Sequence, residues 1–341
     1  MTIGKQAPTI PPPETGKLAV NISSIYALVS NDMQDVDAVI RARLHSDVPL
    51  VRQVAEYIIG GGGKRMRPAL LLLSAGAVSY RGTQHHELAA VVEFIHTATL
   101  LHDDVVDESA LRRGRETANA EFGNAASVLV GDFLYSRAFQ MMVGVGNMRV
   151  MQVLADATNI IAEGEVLQLM NCHNPDISVE DYLQVVRYKT AKLFEASARL
   201  GAILGSANQE IEAGLAGYGM HLGTAFQIVD DVLDYSGKEG EIGKHLGDDL
   251  AEGKPTLPLI HVMEQGDSAQ SSLVRAALEQ GGRDAFPEII EAVKATGALE
   301  AAIKVAEGET SQAIQALRLL PDSQYRDALV QLARFAVARR Y

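Results

Sequence analysis

Hydrophobic residues recur along most of this chain at intervals of three and four, the spacing that places them on one face of an α-helix. The pattern is clearest over residues 84–106, 147–170 and 181–204. Ala, Leu, Glu, Gln and Met, which favour helices, are abundant in these stretches. No run of alternating β-branched residues bounded by hairpin turns stands out, so the pattern predicts an all-α protein.

The first residues of the chain differ from this pattern. Residues 1–18 contain Pro8 and Pro11 to Pro13 and show no hydrophobic periodicity, which predicts a flexible tail. We expect one large helical domain over residues 19–341. Glycine-containing segments would divide it into about a dozen helices. These segments lie at 60–63, 143–145, 237–247 and 280–282.

One short acidic motif occurs twice. Thr99–Asp107 reads TLLHDDVVD, and Phe226–Asp234 reads FQIVDDVLD, so an apolar helical stretch leads each time into Asp-Asp-x-x-Asp. The first aspartates of the two motifs, Asp103 and Asp230, are 127 residues apart. This separation is too long for a tandem repeat of the solenoid kind.

The spacing within each motif has a chemical consequence. Residues i and i+4 lie one turn apart on the same helix face, so Asp103 and Asp107 can point at one spot, as can Asp230 and Asp234. Like charges at this spacing repel, and a cation should compensate them. Hard carboxylate oxygens suit Mg²⁺ shared with substrate phosphates. A single acidic helix end is often only a solvated face, but two copies after apolar stretches favour metal sites.

A glycine-rich, basic segment forms a third candidate. Residues 60–68 read GGGGKRMRP, in which glycines allow close approach of an anion and Lys64 and Arg67 supply charge for diphosphate oxygens. Pro68 suits the first turn of a following helix. A plain basic loop between helices would look the same in isolation. The segment is not a P-loop, because the Gly-Lys-Ser/Thr ending and a preceding strand are absent.

Other basic residues become candidates for phosphate binding only because of their neighbours in the sequence. Arg112 and Arg113 follow the first aspartate motif directly, where paired guanidinium groups can bind phosphate oxygens. Lys189, Lys244 and Lys254 are uninformative when taken singly.

Composition and charge narrow the class of protein. The 341 residues are 47% hydrophobic and 21% charged, enough for a sizeable core. The net charge of −13 argues against a broad nucleic-acid-binding surface. Neither a long apolar span nor a secretory signal is recognisable, and the single Cys172 excludes an internal disulfide, so a cytoplasmic protein without a transmembrane segment is expected.

From about residue 30 onward the chain resembles the trans-prenyl diphosphate synthases, in particular the bacterial octaprenyl diphosphate synthases. The resemblance is carried by GGGKRMRP at 61–68, FIHTATLLHDDVVDESALRRG at 94–114, GNAASVLVGDFLYSRAFQMM at 123–142, AEGEVLQL at 162–169, YKTAKLFEA at 188–196, GTAFQIVDDVLDYSG at 223–237 and GDDLAEGKPTLPLI at 247–260. It implies a helical bundle of the isoprenoid synthase type with a central active-site cavity, and a homodimer. It also implies transient membrane contact for product release.

The resemblance further implies a role for each matching residue. The isopentenyl diphosphate site would be made by Lys64, Arg67, His96 and Arg113. Mg²⁺ would be held by Asp103, Asp107 and Asp230, supported by Asp104, Asp231 and Asp234. The allylic diphosphate would be bound and polarised by Arg112, Lys189, Thr190, Gln227, Lys244 and Lys254. Taken alone, His96 could equally be a satisfied core histidine, but it lies seven residues before Asp103 on roughly the same helix face.

The implied reaction adds isopentenyl units to an allylic diphosphate, with farnesyl diphosphate as the expected primer and a quinone side chain as the expected use of the product. The small residues Ala98 and Thr99 precede Asp103 by one turn, a level that aromatic residues close in short-chain relatives, so a long product is expected. Phe139, Met141 and Met142 are candidates for the wall of the product tunnel, or ordinary core residues. Eight units is the expected length, with nine or another number as the alternative. A terpene cyclase and an inactive partner subunit are further alternatives.

Overall fold

A computed structural model describes residues 22–236 and 246–339. The prediction of a tail over residues 1–18 lies outside this range. The helices in the first half are α1 (Ile22–Leu28), α2 (Ser30–Arg43), α3 (Pro49–Gly60), α4 (Met66–Ala77), α5 (Gln84–Val106), α6 (Ala118–Phe122), α7 (Asn124–Val145) and α8 (Met148–Asn171). The second half contains α9 (Val179–Val186), a π-helical turn (Arg187–Ala191), α10 (Lys192–Leu204), α11 (Gln209–Ser236), α12 (Asp248–Ala251), α13 (Leu257–Gln265), α14 (Ser268–Gln280), α15 (Phe286–Ala295), α16 (Ala298–Ala316), a 3₁₀ turn (Leu317–Leu319) and α17 (Gln324–Ala338).

The prediction of an all-α fold is confirmed. In the described part of the chain, the only strands are Leu111–Arg112 and Arg115–Glu116, which pair antiparallel in a two-residue hairpin. Its central residues Arg113 and Gly114 both have positive φ, as this kind of tight hairpin turn requires. The hairpin was not predicted, because four residues are too few to show alternation.

Helices α4, α5, α10 and α11 build the centre of the molecule. In α4 the run from Leu70 to Leu73 is buried around the whole circumference of the helix, as expected for an element with neighbours on every side. Helix α10 packs against α4, α5, α8 and α11. Glycines set its distance from α11, since a Cβ at Gly219 would lie 2.4 Å from the Phe194 carbonyl oxygen. A Cβ at Gly223 would lie 2.6 Å from the Ala191 Cα.

Both aspartate motifs occur toward the C-terminal ends of their helices. Helix α5 ends at Val106, with Asp107 as its C-cap, and α11 ends at Ser236, two residues after Asp234. The C-terminal end of a helix carries partial negative charge, so carboxylates there are unfavourable unless cations lie nearby. The fold therefore creates two sites that need positive charge.

None of the helices in the described residues is both long and apolar enough to cross a membrane.

Candidate active site

The three aspartates of the first motif have different environments. Asp103 and Asp107 are partly exposed, whereas Asp104 is completely buried. Arg112 binds Asp104 through two nitrogens, with Nε and Nη2 both 2.7 Å from Oδ1. The other oxygen, Oδ2, is buried and has no hydrogen-bond partner within the described residues. Asp104 thus anchors the arginine hairpin to the end of α5.

The second motif divides in the same way. Asp230 is partly exposed, while Asp231 and Asp234 are buried. The Tyr182 hydroxyl donates to Asp231 Oδ2 at 2.6 Å, and the backbone N–H of Asp249 donates to Asp234 Oδ2 at 3.2 Å. In each motif the protein holds the buried aspartates through hydrogen bonds, and at least one aspartate stays partly exposed beside a cation.

The π-helical turn connects the two motifs. The Lys189 ammonium lies 3.5 Å from Asp103 Oδ2 of the first motif. The next residue, Thr190, donates to Gln227 Oε1 at 3.0 Å, and Gln227 Nε2 donates to Asp231 Oδ1 at 2.8 Å in the second motif. A π turn inserts one residue into a helix and is frequent at functional sites. Here it directs consecutive side chains at two different acidic motifs.

Lys254 makes a second connection. Its ammonium lies 2.9 Å from Asp107 Oδ2 and 2.5 Å from Glu252 Oε2. Burial alone would lower the pKa of Lys254, but the carboxylates of Asp107, Glu252 and Asp249 raise it above its usual value. Asp249 is also the residue whose backbone binds Asp234. Lys254 is therefore a charged ammonium between the two motifs.

The glycine-rich loop between α3 and α4 packs against the arginine hairpin. Gly62 and Gly63 have positive φ, and the Gly62 carbonyl oxygen accepts a hydrogen bond from Arg113. A Cβ at Gly63 would lie 2.7 Å from the Arg113 guanidinium. Glycine suits this position because its φ of +147° is one that L side chains rarely adopt, a reason beyond the anion contact expected from the sequence.

A basic cluster continues from this loop to α5. Arg67 Nη1 lies 3.1 Å from His96 Nε2, and the Arg67 guanidinium stacks 4.5 Å from the centre of the Phe194 ring. Burial, followed by the charges of Arg67 and Arg113, lowers the pKa of His96 well below its usual value. His96 is therefore neutral, and Nε2 accepts the hydrogen bond from Arg67.

The loop also meets the second motif. Burial and the nearby Arg339 lower the pKa of Lys64, whereas Asp230 opposes this shift. Arg339 itself follows α17, is almost fully buried, and lies 2.9 Å from Asp230 Oδ1 with its guanidinium 3.9 Å from the centre of the Phe226 ring. Lys64, Asp230 and Arg339 therefore share one electrostatic environment.

Several residues of this site were missed in the sequence. Glu165 Oε2 lies 2.5 Å from the Lys189 ammonium, and Gln168 Oε1 accepts from the same group at 2.7 Å. Both belong to the segment AEGEVLQL, and their i, i+3 spacing on a helix was the available signal. The sequence offered no indication that Arg339 belongs to the site, because a basic residue near the end of a chain is usually exposed to solvent.

Lys244, predicted from the resemblance, lies outside the described residues. A cavity of about 280 Å³ between α8 and α10 is lined by the Lys192–Glu195 ion pair and by none of the predicted site residues. A smaller pocket beside the arginine hairpin is lined by Asp104, Arg112 and Arg113.

The partly exposed carboxylates fit divalent metal ions. Asp103, Asp107 and Asp230 offer hard oxygen donors, and each is matched by a single ammonium or guanidinium group. In the described residues they do not form a compact three-ligand group. One or two carboxylates per ion, completed by water and phosphate oxygens, is the arrangement that Mg²⁺ prefers.

An all-α fold in which two aspartate motifs face a basic, glycine-rich loop defines a helical prenyltransferase. The chain belongs to the polyprenyl synthetase family, because the family model of that description matches residues 48–294.

Individual relatives agree with this assignment. The octaprenyl diphosphate synthase of Escherichia coli (strain K12) is 54% identical over 94% of this chain and 99% of its own length. The geranyl-diphosphate-specific all-trans-nonaprenyl-diphosphate synthase of Rhodobacter capsulatus is 46% identical over 92% of this chain and 97% of its own length. A polyprenyl synthase from Caulobacter crescentus, solved in complex with calcium and isoprenyl diphosphate, superposes with a TM-score of 0.91 at 41% identity, covering 94% and 98% of the two chains.

The predicted isoprenoid synthase fold is thus confirmed, and the chain is a long-chain trans-prenyl diphosphate synthase.

Proposed function

We propose that this enzyme condenses isopentenyl diphosphate repeatedly onto farnesyl diphosphate and releases octaprenyl diphosphate for a quinone side chain. The observation that carries the proposal is the pair of connections between the aspartate motifs, one through the π turn with Lys189 and Thr190 and one through the segment from Asp249 to Lys254. The similarity to the E. coli octaprenyl diphosphate synthase supports the length of eight units.

The allylic diphosphate binds between the two motifs. Asp103, Asp107 and Asp230 hold Mg²⁺, which, when bound, offsets the charge of the diphosphate leaving group. The buried aspartates hold the metal-binding side chains in position through contacts with the protein. Asp104 binds Arg112, Asp231 binds Tyr182, and Asp234 binds the Asp249 backbone.

Fixed cations stabilise the charge that develops on the leaving group. Lys189 and Lys254 are buried ammonium groups whose pKa is raised by acidic neighbours despite burial, so both remain charged. Arg112 adds a planar donor, Thr190 and Gln227 orient the π turn, and we assign Lys244 to the same diphosphate. Donors placed in advance stabilise a developing anion without the cost of reorganising water.

Isopentenyl diphosphate binds on the other side, at the glycine-rich loop. Lys64, Arg67 and Arg113 supply positive charge for its diphosphate. The carboxylates near them are Asp230 for Lys64, Glu93 and Asp230 for Arg67, and Glu93 and Asp104 for Arg113. Because His96 is neutral with Nε2 accepting from Arg67, its remaining proton lies on Nδ1. His96 therefore orients Arg67 without adding a charge.

The chemical steps then need no nucleophilic side chain. The allylic carbon–oxygen bond breaks, and the electron pair leaves with the diphosphate. The double bond of isopentenyl diphosphate attacks the resulting cation, and the departing diphosphate accepts the proton that is lost. The buried surroundings of Lys189 and Lys254 exclude water that would quench the cation.

Ala98 supports a long product. It is fully buried on α5, five residues before Asp103, and offers only a methyl group at the level where the growing tail leaves the site. Each isoprene unit needs roughly one helical turn of depth, ~5 Å. The alternative of nine units is supported by the 46% identity to the R. capsulatus nonaprenyl enzyme.

A product-length assay tests the proposal. The purified protein is supplied with Mg²⁺, farnesyl diphosphate and radiolabelled isopentenyl diphosphate, and the dephosphorylated products are separated by length. We expect a main product of eight units, with A98F shortening it and T99V leaving it unchanged. No elongation would overturn the enzyme assignment, and a main product of another length would overturn the octaprenyl assignment.

The same assay separates the other candidate classes. A terpene cyclase would consume farnesyl diphosphate alone and would not need the basic loop of Lys64 and Arg67. An inactive partner subunit would have lost acidic ligands, whereas all six aspartates are present.

A homodimer is the assembly that the exposed surface supports. Leu129 of α7 and Val166, Leu169 and Met170 of α8 are each more than half exposed. Exposed apolar side chains concentrated on neighbouring helices are typical of an interaction surface. We assign this surface, named here the α7–α8 face, to a second copy of the chain. Cytoplasmic location and transient membrane contact for product release stay predictions.

A further inference from the structure

Two adjacent histidines at the start of α5 converge on one aspartate of α2. His86 Nε2 lies 2.9 Å from Asp32 Oδ1, and His85 Nε2 lies 3.3 Å from the same oxygen. Asp35, about one turn further along α2, places Oδ2 3.8 Å from His86 Nε2. A metal site needs several His, Cys, Asp or Glu side chains with their donor atoms close together. Within residues 22–236 and 246–339, the only group of three whose donor atoms all lie within 4.8 Å of one another is Asp32, His85 and His86.

From these distances we infer that Asp32, His85 and His86 form a three-ligand binding site for Zn²⁺ or a similar imidazole-binding divalent metal, with the remaining position open to water. Ligands about 2.0–2.1 Å from a tetrahedral zinc ion are separated from one another by about 3.3 Å. The separations of Asp32 Oδ1 from the two imidazole nitrogens are 2.9 and 3.3 Å, and all three donor atoms lie within 4.8 Å of one another.

The chemistry of the donors distinguishes this cluster from the aspartate motifs. Imidazole nitrogens favour Zn²⁺, Cu²⁺ and Ni²⁺, whereas sites with only carboxylate oxygens favour Mg²⁺.

The surroundings of the cluster explain how firmly the metal should bind. Both imidazoles are mostly buried, with 12% and 13% of their side-chain surface exposed, and Asp32 and Asp35 remain open to solvent. His85 Nδ1 is buried without a hydrogen-bond partner in the described residues. Zinc-binding histidines usually donate this second nitrogen to a partner, and its loss typically weakens binding by about 10- to 100-fold. A site of moderate affinity is expected.

The location gives the metal a structural function. His85 and Asp103 lie on the same helix, 18 residues and therefore about 27 Å apart, so the cluster is separate from the substrate site. A metal ion here would add a second link between α2 and the start of α5, beside the 2.7 Å ion pair of Arg43 with Glu87. The inference is independent of the proposed reaction.

Zinc binding to the metal-free full-length protein tests the inference. Competition against a chromophoric zinc indicator is measured in excess Mg²⁺, which occupies the aspartate motifs. We expect H86A to weaken one zinc site roughly 100-fold or more, and D32N to weaken the same site. The matched control is H221A, which removes a single imidazole 2.6 Å from Glu309 on other helices and should leave that site unchanged.

A crystallographic measurement needs no variant. Crystals of the unmodified protein soaked in zinc chloride should give an anomalous difference peak between the two Nε2 atoms and Asp32. Zinc binding unaffected by both H86A and D32N, or an anomalous map with no peak at this position, would overturn the inference. If either variant fails to fold, the anomalous map decides.

Discussion

Lys254 and Asp107 are 147 residues apart in the chain, yet the Lys254 ammonium lies 2.9 Å from Asp107 Oδ2. The backbone N–H of Lys254 donates to the Asp249 carbonyl oxygen, and Asp249 in turn binds Asp234 of the second motif. The segment from Asp249 to Lys254 therefore contacts both acidic motifs, which the sequence separates widely.

Replacing Lys254 by glutamine should lower kcat for elongation by roughly 10²- to 10³-fold, the usual effect of removing a donor placed for a developing anion. K254R should recover part of the loss, because it restores the charge. The matched control is K294Q, which removes an exposed lysine paired with Glu291 and should leave kcat unchanged. Elongation at the normal rate by K254Q would remove Lys254 from the site.

Glu165 should make stability depend on pH when divalent metal is absent. Burial raises the pKa of Glu165 from 4.5 to about 7. The positive charge of Lys189 opposes this shift, whereas the negative charge of Asp103 adds to it. Between these pH values the folded protein keeps a proton that the unfolded chain has lost, so the contribution of Glu165 to stability falls as pH rises. The E165Q variant has no carboxyl group at this position, so this contribution to the pH dependence of stability is absent.

Urea unfolding in EDTA measures the effect. From pH 4.5 to pH 8, the free energy of unfolding of the unmodified protein should fall relative to that of E165Q by up to about 3 kcal/mol. A difference between the two proteins that is constant over this range would show that Glu165 has an ordinary pKa.

Gly164 should be required for the position of the π turn. A Cβ at this residue would lie 2.7 Å from the Lys189 backbone nitrogen. G164A should therefore cost about 1–3 kcal/mol of stability and reduce kcat. G308A is the matched control, since a Cβ in the middle of α16 meets nothing within 4 Å. It should stabilise the protein by about 0.5–1 kcal/mol. Equal effects of both substitutions on thermal unfolding would contradict the close packing.

The α7–α8 face should hold two copies of the chain together. L169E places a charge on this face and should shift the sedimentation coefficient from that of a dimer to that of a monomer at micromolar concentration. L319E, an equally drastic change at the exposed Leu319 of the 3₁₀ turn, should leave the dimer intact. A dimer that survives L169E would mean that another surface forms the interface.

The sequence predicted the helices best where hydrophobic periodicity was long and unbroken. Helix α5 has the same bounds as the predicted stretch, Gln84–Val106, and α8 differs from its stretch by one residue at each end. The stretch over residues 181–204 is instead divided by the π turn at Arg187–Ala191. The inserted residue shows only as one interval of five between the buried Val186 and Ala191, which is too short a signal to distinguish a π turn from an uninterrupted helix.

The site was less predictable, because its chemistry depends on burial. Asp103 and Asp104 are adjacent and identical in the sequence, but one faces the opening and the other is buried against Arg112. Glu165 and Arg339 reach the site only through packing of α8 and α17. The two motifs were recognisable individually, whereas the lysines that join them could be selected only through the family resemblance.

The most direct test of the central claim, that both motifs bind one substrate, is a double-mutant cycle on the affinity for farnesyl thiodiphosphate, an unreactive analogue, measured by calorimetry in saturating Mg²⁺. D103N and D230N should each weaken binding by roughly 10-fold or more, and the double variant should lose clearly less than the product of the two, because the groups share one ligand. A double variant whose loss of affinity equals the product of the two single losses would contradict a single site built from both motifs. So would an affinity that only one of the two substitutions alters.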